Sequence, residues 1–298
     1  MKDKPLISIV INNYNYDRFL REAIDSALNQ TYPNNEIIVV DDGSTDDSRD
    51  IIASYGETII PVLKDNGGQA SAFNAGFAAS TGDIVCLLDA DDIFMPDKIA
   101  EVAGLFEGYP DIGWCFHPLR LVDMSAGKSF NISPEHSSRP CDFREAIKKG
   151  KPRFTPPATS GLCFSRSLLK LILPMPESIL IASDNYLKLA SLYLAKGFFD
   201  NRELACQRLH ANNAYTLRQN NQSLKANVQI LTAYWLRFNF PELEQFTNNA
   251  FAQGIGRYWR YMRLDADLME IVRLYWSSVP TWLAKLEIVA RCFYHSIR

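Results

Sequence analysis

The sequence predicts an α/β fold with a doubly wound, mainly parallel sheet, helices on both faces of that sheet, and a helical extension at the C-terminus. Short apolar runs alternate with helical patterns over the first hundred residues, as in sheets whose strands are joined by crossover helices. From about residue 222 onward, the apolar residues recur at helical spacing instead. We therefore expect an α/β unit followed by a helical unit.

The composition is that of a globular protein and argues against a nucleic-acid partner. The 298 residues are 47% hydrophobic and 22% charged, which supports a substantial core. A net charge of −3 provides no basic field for binding nucleic acid. No apolar stretch approaches the length of a membrane span, and the apolar part of MKDKPLISIV is too short for a signal peptide.

Three of the six cysteines are predicted to be reduced core thiols of a cytosolic protein. No two of the six are closer than 22 residues, so no Cys-x-x-Cys metal or redox pattern is present. Cys86, Cys115 and Cys163 lie within apolar runs, where a free thiol behaves as a small core residue.

Four strands are predicted in the first hundred residues, and each is followed by a helical pattern. The third carries Pro61, which places it at a sheet edge. Ser44 and Asp47 resemble a capping box for the helix that follows the second strand. Pro96 marks the start of the helix after the fourth strand. The predicted strands are Leu6–Ile11, Glu36–Val40, Ile59–Leu63 and Ile84–Leu88.

The second half of the chain has a weaker pattern. Residues 123–141 are polar and rich in Pro and Ser, which predicts a surface loop. Asp184 opens a helix that ends near Gly197. The remaining predictions are strands at Gly113–Pro118, Ser160–Ser165 and Arg202–His210, and amphipathic helices at Tyr258–Trp276 and Trp282–Ile297.

The stretch Gly82–Asp97, GDIVCLLDADDIFMPD, places three carboxylates directly after a buried strand. Asp89, Asp91 and Asp92 would repel one another and lose hydration there, so a positive partner is expected. Mg2+ and Mn2+ prefer oxygen ligands and are often held by one or two carboxylates plus substrate phosphates. The alternative is a solvated acidic turn that caps the following helix, and Asp-x-Asp-Asp alone does not decide between the two.

Three successive strands end in polar loops, at Asn12–Tyr16, Asp41–Asp46 and Asp89–Asp92. In a parallel sheet these loops share the edge where ligands bind, and together they favour a nucleotide pocket. Neither G-x-G-x-x-G after the first strand nor G-x-x-x-x-G-K-[ST] occurs. A nucleotide would therefore be held by side chains and a metal rather than by a glycine-rich turn.

Two segments carry a family resemblance: SIVINNYNYDRFLREAIDSALNQTYPNNEIIVVDDGSTDDS and DNGGQASAFNAGFAASTGDIVCLLDADDIFMPD. They resemble the inverting glycosyltransferases of family 2, which have the GT-A fold, a Rossmann-like doubly wound sheet. Weaker matches reach to about residue 210. The resemblance implies a catalytic domain at 1–215, with a nucleotide-sugar donor half at 1–118 and an acceptor half at 119–215. Residues 216–298 form a helical extension without a match.

The resemblance also implies a donor site for a nucleotide-diphospho-sugar and a divalent cation, Mn2+ or Mg2+. Asn12 and Tyr14 match positions that line the base and ribose, and Asp42 matches an acid at the base edge. The other donor-binding positions are Asn66, Gln69, Asp89 and Arg208. Asp91 matches the metal ligand, with Asp92 and His210 as further metal positions. Which of Asp91 and Asp92 is the main ligand stays open, and a bonded histidine at a strand end is the alternative for His210.

Asp184 matches the catalytic base, which would deprotonate a hydroxyl of a carbohydrate or lipid-linked acceptor. On spacing alone, a helix N-cap is the simpler interpretation. Two departures from the family pattern stand out. Ser183 replaces the usual acidic neighbour of the base, and Phe73 occupies a position where many members carry Arg. The competing functions are a nucleotidyltransferase that makes nucleotide-sugars, which should carry a Gly-rich basic loop after the first strand, and a non-catalytic nucleotide-sugar-binding subunit.

The C-terminal helices have two interpretations. Arg257, Arg260 and Arg263 alternate with aromatic residues, and Trp282–Ile297 is amphipathic. Such helices lie on anionic membranes, or they pack on the catalytic core or at a homodimer interface. The protein is thus expected in the cytoplasm, with a peripheral position at the inner face of the membrane as the further possibility.

Overall fold

The chain is seen here in a computed structural model that describes residues 4–130, 137–150, 154–211, 213, 222–261 and 266–297. The strands are β1 Ile7–Asn13, β2 Asn35–Asp42, β3 Ile60–Lys64, β4 Ile84–Asp89, β5 Ile93–Phe94, β6 Trp114–Phe116, β7 Leu119–Asp123, β8 Lys128–Phe130, β9 Arg139–Cys141, β10 Leu162–Ser165, β11 Gly197–Phe199 and β12 Ala205–Leu209. The helices are α1 Asp17–Leu28, α2 Ser48–Ala53, α3 Gly68–Ala79, α4 Lys98–Gly108, α5 Arg144–Lys148, α6 Arg166–Ile172, α7 Asp184–Leu194, α8 Gln222–Asn239, α9 Glu244–Tyr261, α10 Ala266–Ser278 and α11 Trp282–Ile297.

A twisted sheet with the order β3-β2-β1-β4-β10-β6-β11-β9 forms the centre of the described chain. The pairs β3–β2, β2–β1 and β1–β4 are parallel, while β10 runs antiparallel to both β4 and β6. The predicted mainly parallel sheet is confirmed, and β3, which carries Pro61, lies at its edge. All six cysteines are free thiols, and Cys86, Cys115 and Cys163 are buried neighbours across β4, β10 and β6.

Both faces of the sheet are covered by helices and are therefore buried. Successive side chains of a strand point to opposite faces, so each strand contributes apolar residues to two clusters. In β1, Ile7, Ile9 and Ile11 join the apolar cluster that includes α1 and α4. Val10 points the other way, into the cluster formed with α3, α6 and α7. Helices thus cover both faces, as the continuous apolar strands require.

A second, smaller sheet has the order β5-β12-β7-β8. β5 follows the acidic turn after β4, and its Ile93 pairs with Cys206 of β12. This pairing brings the end of β12, with Arg208 and the following His210, back to the acidic turn. The predicted extended segment at Arg202–His210 is therefore confirmed for Ala205–Leu209.

The helices α8 to α11 pack around an apolar cluster of their own, with members such as Ile230, Phe251 and Tyr275. α8 also joins the main core through Leu236. The start of the helix predicted at Tyr258–Trp276 was wrong, because α9 already begins at Glu244. The rest of the predicted stretch is helical in α10, and residues 262–265 lie outside the described residues. Arg263 and the predicted boundary between residues 215 and 216 lie outside the described residues. Across the described helices, none combines the length and the apolar character needed to cross a bilayer.

Two local predictions are corrected by hydrogen bonding. The capping box at Ser44 does not form, because α2 begins only at Ser48, and Ser44 Oγ instead accepts the Asn15 N–H at 2.9 Å. The loop predicted at 123–141 contains β8 and β9. β8 pairs with β7 through a turn in which Asp123 Oδ1 accepts the Ser125 N–H at 2.8 Å and Gly127 adopts a φ of 60°.

Candidate functional site

Three carboxylates meet at the C-terminal end of β4, as the sequence predicts. The ligand atoms of Asp89, Asp91 and Asp92 all lie within 4.8 Å of one another. Asp91 and Asp92 are buried, and Asp89 is partly exposed. Oxygen ligands this close, at the edge of a parallel sheet, suit a hard divalent cation.

The electrostatics of this acidic cluster favour a bound cation. Burial, followed by the charge of Asp91, raises the pKa of Asp92 to about 8, although hydrogen bonds from Ser160 and Arg208 act in the opposite direction. Burial likewise raises the pKa of Asp89 well above its usual range, and Asp91, Asp92 and Asp184 add to the effect. A divalent cation would offset the same repulsion. The residues present thus fit the metal that the sequence predicts.

Asp91 and Asp92 are held by different partners. Asp92 Oδ2 accepts the Ser160 hydroxyl at 2.6 Å, and its Oδ1 accepts the Arg208 N–H at 3.1 Å. Asp91 Oδ2 lies 3.1 Å from His210 Nε2 and accepts the Asn213 side-chain amide at 3.0 Å. Among the described residues, hydrogen bonds thus engage both oxygens of Asp92 but only one of Asp91.

His210 lies beside the acidic cluster. Its Nε2 contacts Asp91, and its ring stacks on Phe19 with the centroids 4.3 Å apart. In the described part of the chain, the group of mutually close ligand atoms consists of the three acids and does not include His210. The stacking and the contact with Asp91 fix the ring next to the proposed metal position.

Arg208, predicted near the diphosphate, is buried and bonded to protein atoms. Its guanidinium donates to the carbonyl oxygens of Asp91 and Phe19 and pairs with Glu22 of α1. It also lies over the Phe19 ring, 4.9 Å from the centroid. Arg208 therefore ties the acidic turn to α1 in this structure, and a contact with the donor stays a prediction.

The end of β1 and the loop that follows it lie next to the acidic cluster. Asn12 pairs in register with Asp89, and both polar atoms of its side chain are buried without a hydrogen-bond partner in the described residues. A buried amide without partners is costly, so this position points to a ligand. Tyr14 is 46% exposed at the same edge. The next residue, Asn15, accepts the Thr45 N–H at 2.7 Å and so joins the loops after β1 and β2.

Asp42, predicted at the base edge, is buried at the end of β2. Its Oδ1 pairs with Lys64 Nζ at 2.6 Å and accepts the Gly67 N–H at 3.0 Å, while Oδ2 accepts the Gly68 N–H at 2.8 Å. Asn66 adds a hydrogen bond from its side chain to the Asp42 carbonyl at 3.0 Å. Asp42 and Asn66 thus shape the turn before α3, and their contact with a base stays a prediction.

Gln69 connects this turn to the predicted base. Its Oε1 accepts the Ser183 N–H at 2.9 Å and the Ser183 hydroxyl at 3.1 Å. Asp184 is the first residue of α7, as predicted, and its Oδ2 lies 2.5 Å from Lys188 Nζ. Phe73, the departure from the family pattern on α3, is buried in the apolar cluster with Val10.

Several residues of the site escaped the sequence analysis. Ser160 contacts Asp92 and Asn213 contacts Asp91, although they lie 68 and 122 residues away from these acids in the sequence. A local sequence pattern cannot predict such contacts. The side chain of Asn13 donates a hydrogen bond to Asp41 at 2.9 Å. The polar residues after β1 and β2 predicted that these two segments lie close together, but not this bond. The pairing of Lys188 with Asp184 could have been predicted, because Lys188 lies four residues after Asp184 and so on the same face of the helix.

Solved structures of low sequence identity show the same fold. TarS of S. aureus in complex with UDP-GlcNAc matches with a TM-score of 0.61 and 16% identity, over 92% of this chain and 82% of that chain. A mannosyltransferase of Pyrobaculum calidifontis in complex with GDP-Man and Mn2+ matches with a TM-score of 0.52 and 17% identity, over 99% of this chain and 87% of that one. The fold is therefore the GT-A fold of nucleotide-sugar transferases.

The family follows from sequence. The family model described as "Glycosyl transferase family 2" matches residues 8–169, so the chain belongs to glycosyltransferase family 2. An uncharacterised glycosyltransferase of Nostoc is 37% identical over 212 residues, which are 70% of this chain and 66% of that protein. One of Rickettsia prowazekii is 40% identical over 134 residues, or 44% of this chain and 42% of the relative. The chain thus spans two thirds or less of these relatives.

We expect Arg208→Met to destabilise the protein more than the loss of a surface ion pair does. The buried guanidinium makes several hydrogen bonds, and charged hydrogen bonds contribute about 1.5–3 kcal/mol each, so a loss of about 2–3 kcal/mol in unfolding free energy is expected. Urea denaturation would measure it. The control is Arg120→Met, which removes a half-exposed pair with Glu203 and should cost about 0–1 kcal/mol. Equal losses in the two variants would contradict the anchoring role of Arg208.

Proposed function

We propose that this protein transfers a sugar, with inversion, from a nucleotide-diphospho-sugar to an acceptor hydroxyl, and that the reaction depends on a divalent cation. The observation that carries the proposal is the juxtaposition of three mutually close acids, the helix-initial Asp184, whose charge acts on Asp89, and Asn12. The side-chain amide of Asn12 is buried and has no hydrogen-bond partner among the described residues. Membership of family 2 supports the reaction class. The pathway we propose is the synthesis of a cell-surface polysaccharide or glycolipid, and the location is the cytoplasm.

The donor is proposed to bind across the loops after β1, β2 and β4. Asp91 is the better candidate for the main metal ligand, because Oδ1 carries no hydrogen bond among the described residues, whereas Asp92 has both oxygens engaged. Asn12 would offer its amide to the nucleotide. TarS was solved with UDP-GlcNAc and the Pyrobaculum enzyme with GDP-Man and Mn2+, so these two donors and Mn2+ are the first ligands to test.

The chemistry requires one base and one means of stabilising the leaving group. In the proposed step, the acceptor oxygen bonds to the anomeric carbon as the bond from that carbon to the diphosphate oxygen breaks. The acceptor proton passes to Asp184, which lies at the N-terminus of α7, where the helix dipole favours a carboxylate. A divalent cation, when bound, supplies positive charge that offsets the leaving nucleoside diphosphate.

The division into a donor half at 1–118, an acceptor half at 119–215 and a helical extension is part of the proposal. An apolar cluster formed within α8–α11 supports the helical extension as a unit with its own core, although Leu236 of α8 also joins the main core. A non-catalytic nucleotide-sugar-binding subunit is the second candidate, because Ser183 stands where the family usually has an acid. Binding without turnover would favour it.

Asp91→Ala should abolish Mn2+-dependent binding of UDP or GDP and leave the fold intact, because the variant removes the proposed main ligand. Titration calorimetry with and without Mn2+, accompanied by a melting curve, would measure both. Asp111→Ala is the control, since it removes an exposed acid whose side chain is 69% accessible. If the Asp91 variant bound nucleotide with unchanged affinity, the metal assignment would be wrong.

Asp184→Asn should lower the transfer rate by about 10²–10⁴-fold, the usual contribution of a general base. Donor affinity should barely change, because the donor is held by the other loops. Stability should fall, because the neutral amide leaves the buried Lys188 ammonium without its ion-pair partner, so a melting curve on the same sample shows that the variant is folded. Single-turnover transfer at saturating donor and acceptor decides the matter. A folded variant with the wild-type rate would refute the base assignment and direct attention to Glu177 or His210.

The helical extension presents an apolar stripe on α11. Its residues are 50–80% exposed and cover about a third of the helix circumference at 100° per residue. They are Trp282, Leu283, Leu286, Phe293, Tyr294 and Ile297. Because this stripe is exposed and so does not pack on the catalytic core, two of the alternatives from sequence remain for it, and we favour a second copy of the chain over an anionic membrane. The neighbouring cations are already engaged, Arg291 by Glu287 at 2.6 Å and Lys285 by the Trp276 ring at 5.6 Å.

Leu286→Glu should therefore weaken dimerisation, because a charge would be buried in an apolar contact. Sedimentation velocity over a concentration series would measure the change in association. Leu171→Glu, at an apolar residue that is 65% exposed on α6, is the matched control and should have no effect. A monomeric wild type that co-sediments with phosphatidylglycerol vesicles, and loses this in Leu286→Glu, would establish the membrane contact instead.

A further inference from the structure

Lys188 is a buried lysine next to the proposed base, and the proposed step assigns it no role. Its Nζ lies 2.5 Å from Asp184 Oδ2, and the two side chains are only 9% and 10% exposed. Asp and Lys four residues apart share one face of α7, so the pairing follows from the helix geometry. An exposed pair of this kind contributes little to stability, whereas a buried one leaves an uncompensated charge when either partner is lost.

The surroundings of Asp184 explain why a cation is needed there. The charge of Asp184 acts on Asp89 and so extends to the acidic cluster. Within the described residues, Lys188 is the ion-pair partner of Asp184, and Asp89 of the acidic cluster is near enough for the charge of Asp184 to act on it. Lys188 thus supplies the positive charge that a fourth carboxylate in this region requires.

The carboxylate of Asp184 is also fixed in direction. Lys188 engages Oδ2, and no hydrogen bond within the described chain reaches Oδ1. The segment before it is held as well, since Ser183 is bonded to Gln69 from two atoms. Ala182 adopts a left-handed φ of 52°, a conformation that a residue with a Cβ keeps only where its surroundings impose it. The backbone and one oxygen of the acid are therefore both immobilised.

We infer that Lys188 is a positioning residue whose ammonium group holds Oδ2 of Asp184, so that Oδ1 is left to take the proton of the acceptor hydroxyl. This inference rests on the proposed function. It differs from a role in donor binding, because a lysine that contacted the diphosphate would contribute to nucleotide affinity. It also differs from a purely structural ion pair, whose loss would lower stability without a selective effect on the rate.

The test compares Lys188→Met, which keeps the apolar stem, with Lys188→Arg, which restores the charge. Release of UDP or GDP is measured with Mn2+ and a donor panel that includes UDP-GlcNAc and GDP-Man, alongside calorimetry with Mn2+ and UDP or GDP. Lys188→Met should lower the turnover rate about 10- to 100-fold, the range found when a partner that orients a metal ligand is lost. Nucleotide affinity should not change, and Lys188→Arg should recover most of the rate.

Arg291→Met is the matched control, because it removes an exposed ion pair of the same spacing on α11. Melting curves accompany every variant, and Lys188→Gln, a neutral hydrogen-bond donor, replaces Lys188→Met if the latter does not fold. A wild-type rate in the neutral variant, a weakened nucleotide affinity, or no recovery in a stably folded Lys188→Arg would each overturn the inference alone. Failure of the wild type to bind or turn over any donor would overturn the proposed function, and the inference with it.

Discussion

Repulsion among the three carboxylates at the end of β4 is the constraint on which the rest of the site depends. Asp89, Asp91 and Asp92 occur within four positions of the chain, and their ligand atoms are held within 4.8 Å of one another. Burial raises the pKa of Asp92 to about 8. Such a cluster is stable only if donors and cations are brought to it from elsewhere in the chain.

The fold brings those groups from three directions. Ser160 comes from the turn before β10 and donates to Asp92, and Arg208 comes from β12 and binds the backbone of the acidic turn. His210 and Asn213, just beyond β12, contact Asp91. The smaller sheet, in which β12 pairs with β5, is therefore what completes the site. A metal would add to this arrangement of protein donors and would not replace it.

The helix α7 is also held by groups from distant segments, and one of these segments is the C-terminal helix α8. Gln69 holds its first turn through Ser183, and Lys188 pairs with Asp184. Further along α7, the hydroxyl of Tyr186 accepts a hydrogen bond at 2.7 Å from Asn239 at the end of α8. The extension without a family match thus supports the helix that carries the proposed base.

The sequence by itself determined the parallel sheet, its polar edge and the cluster of acids proposed to bind a metal. These features are written in local patterns: apolar runs such as Ile84–Leu88, the acids that follow them, and a helix that opens at Asp184. Local patterns gave a wrong prediction where a few hydrogen bonds determine the conformation. At Ser44, the hydroxyl accepts the Asn15 N–H of the neighbouring loop instead of capping a helix. Only the tertiary structure showed which groups bond to each other. Arg208 donates to the backbone of the acidic turn, and Gln69 accepts the Ser183 N–H. Asn213 donates to Asp91, which is 122 residues away in the sequence. The physical reason is that periodicity reports which face of an element is buried, whereas the partners of a buried polar group depend on which distant segments the packing brings within 3 Å.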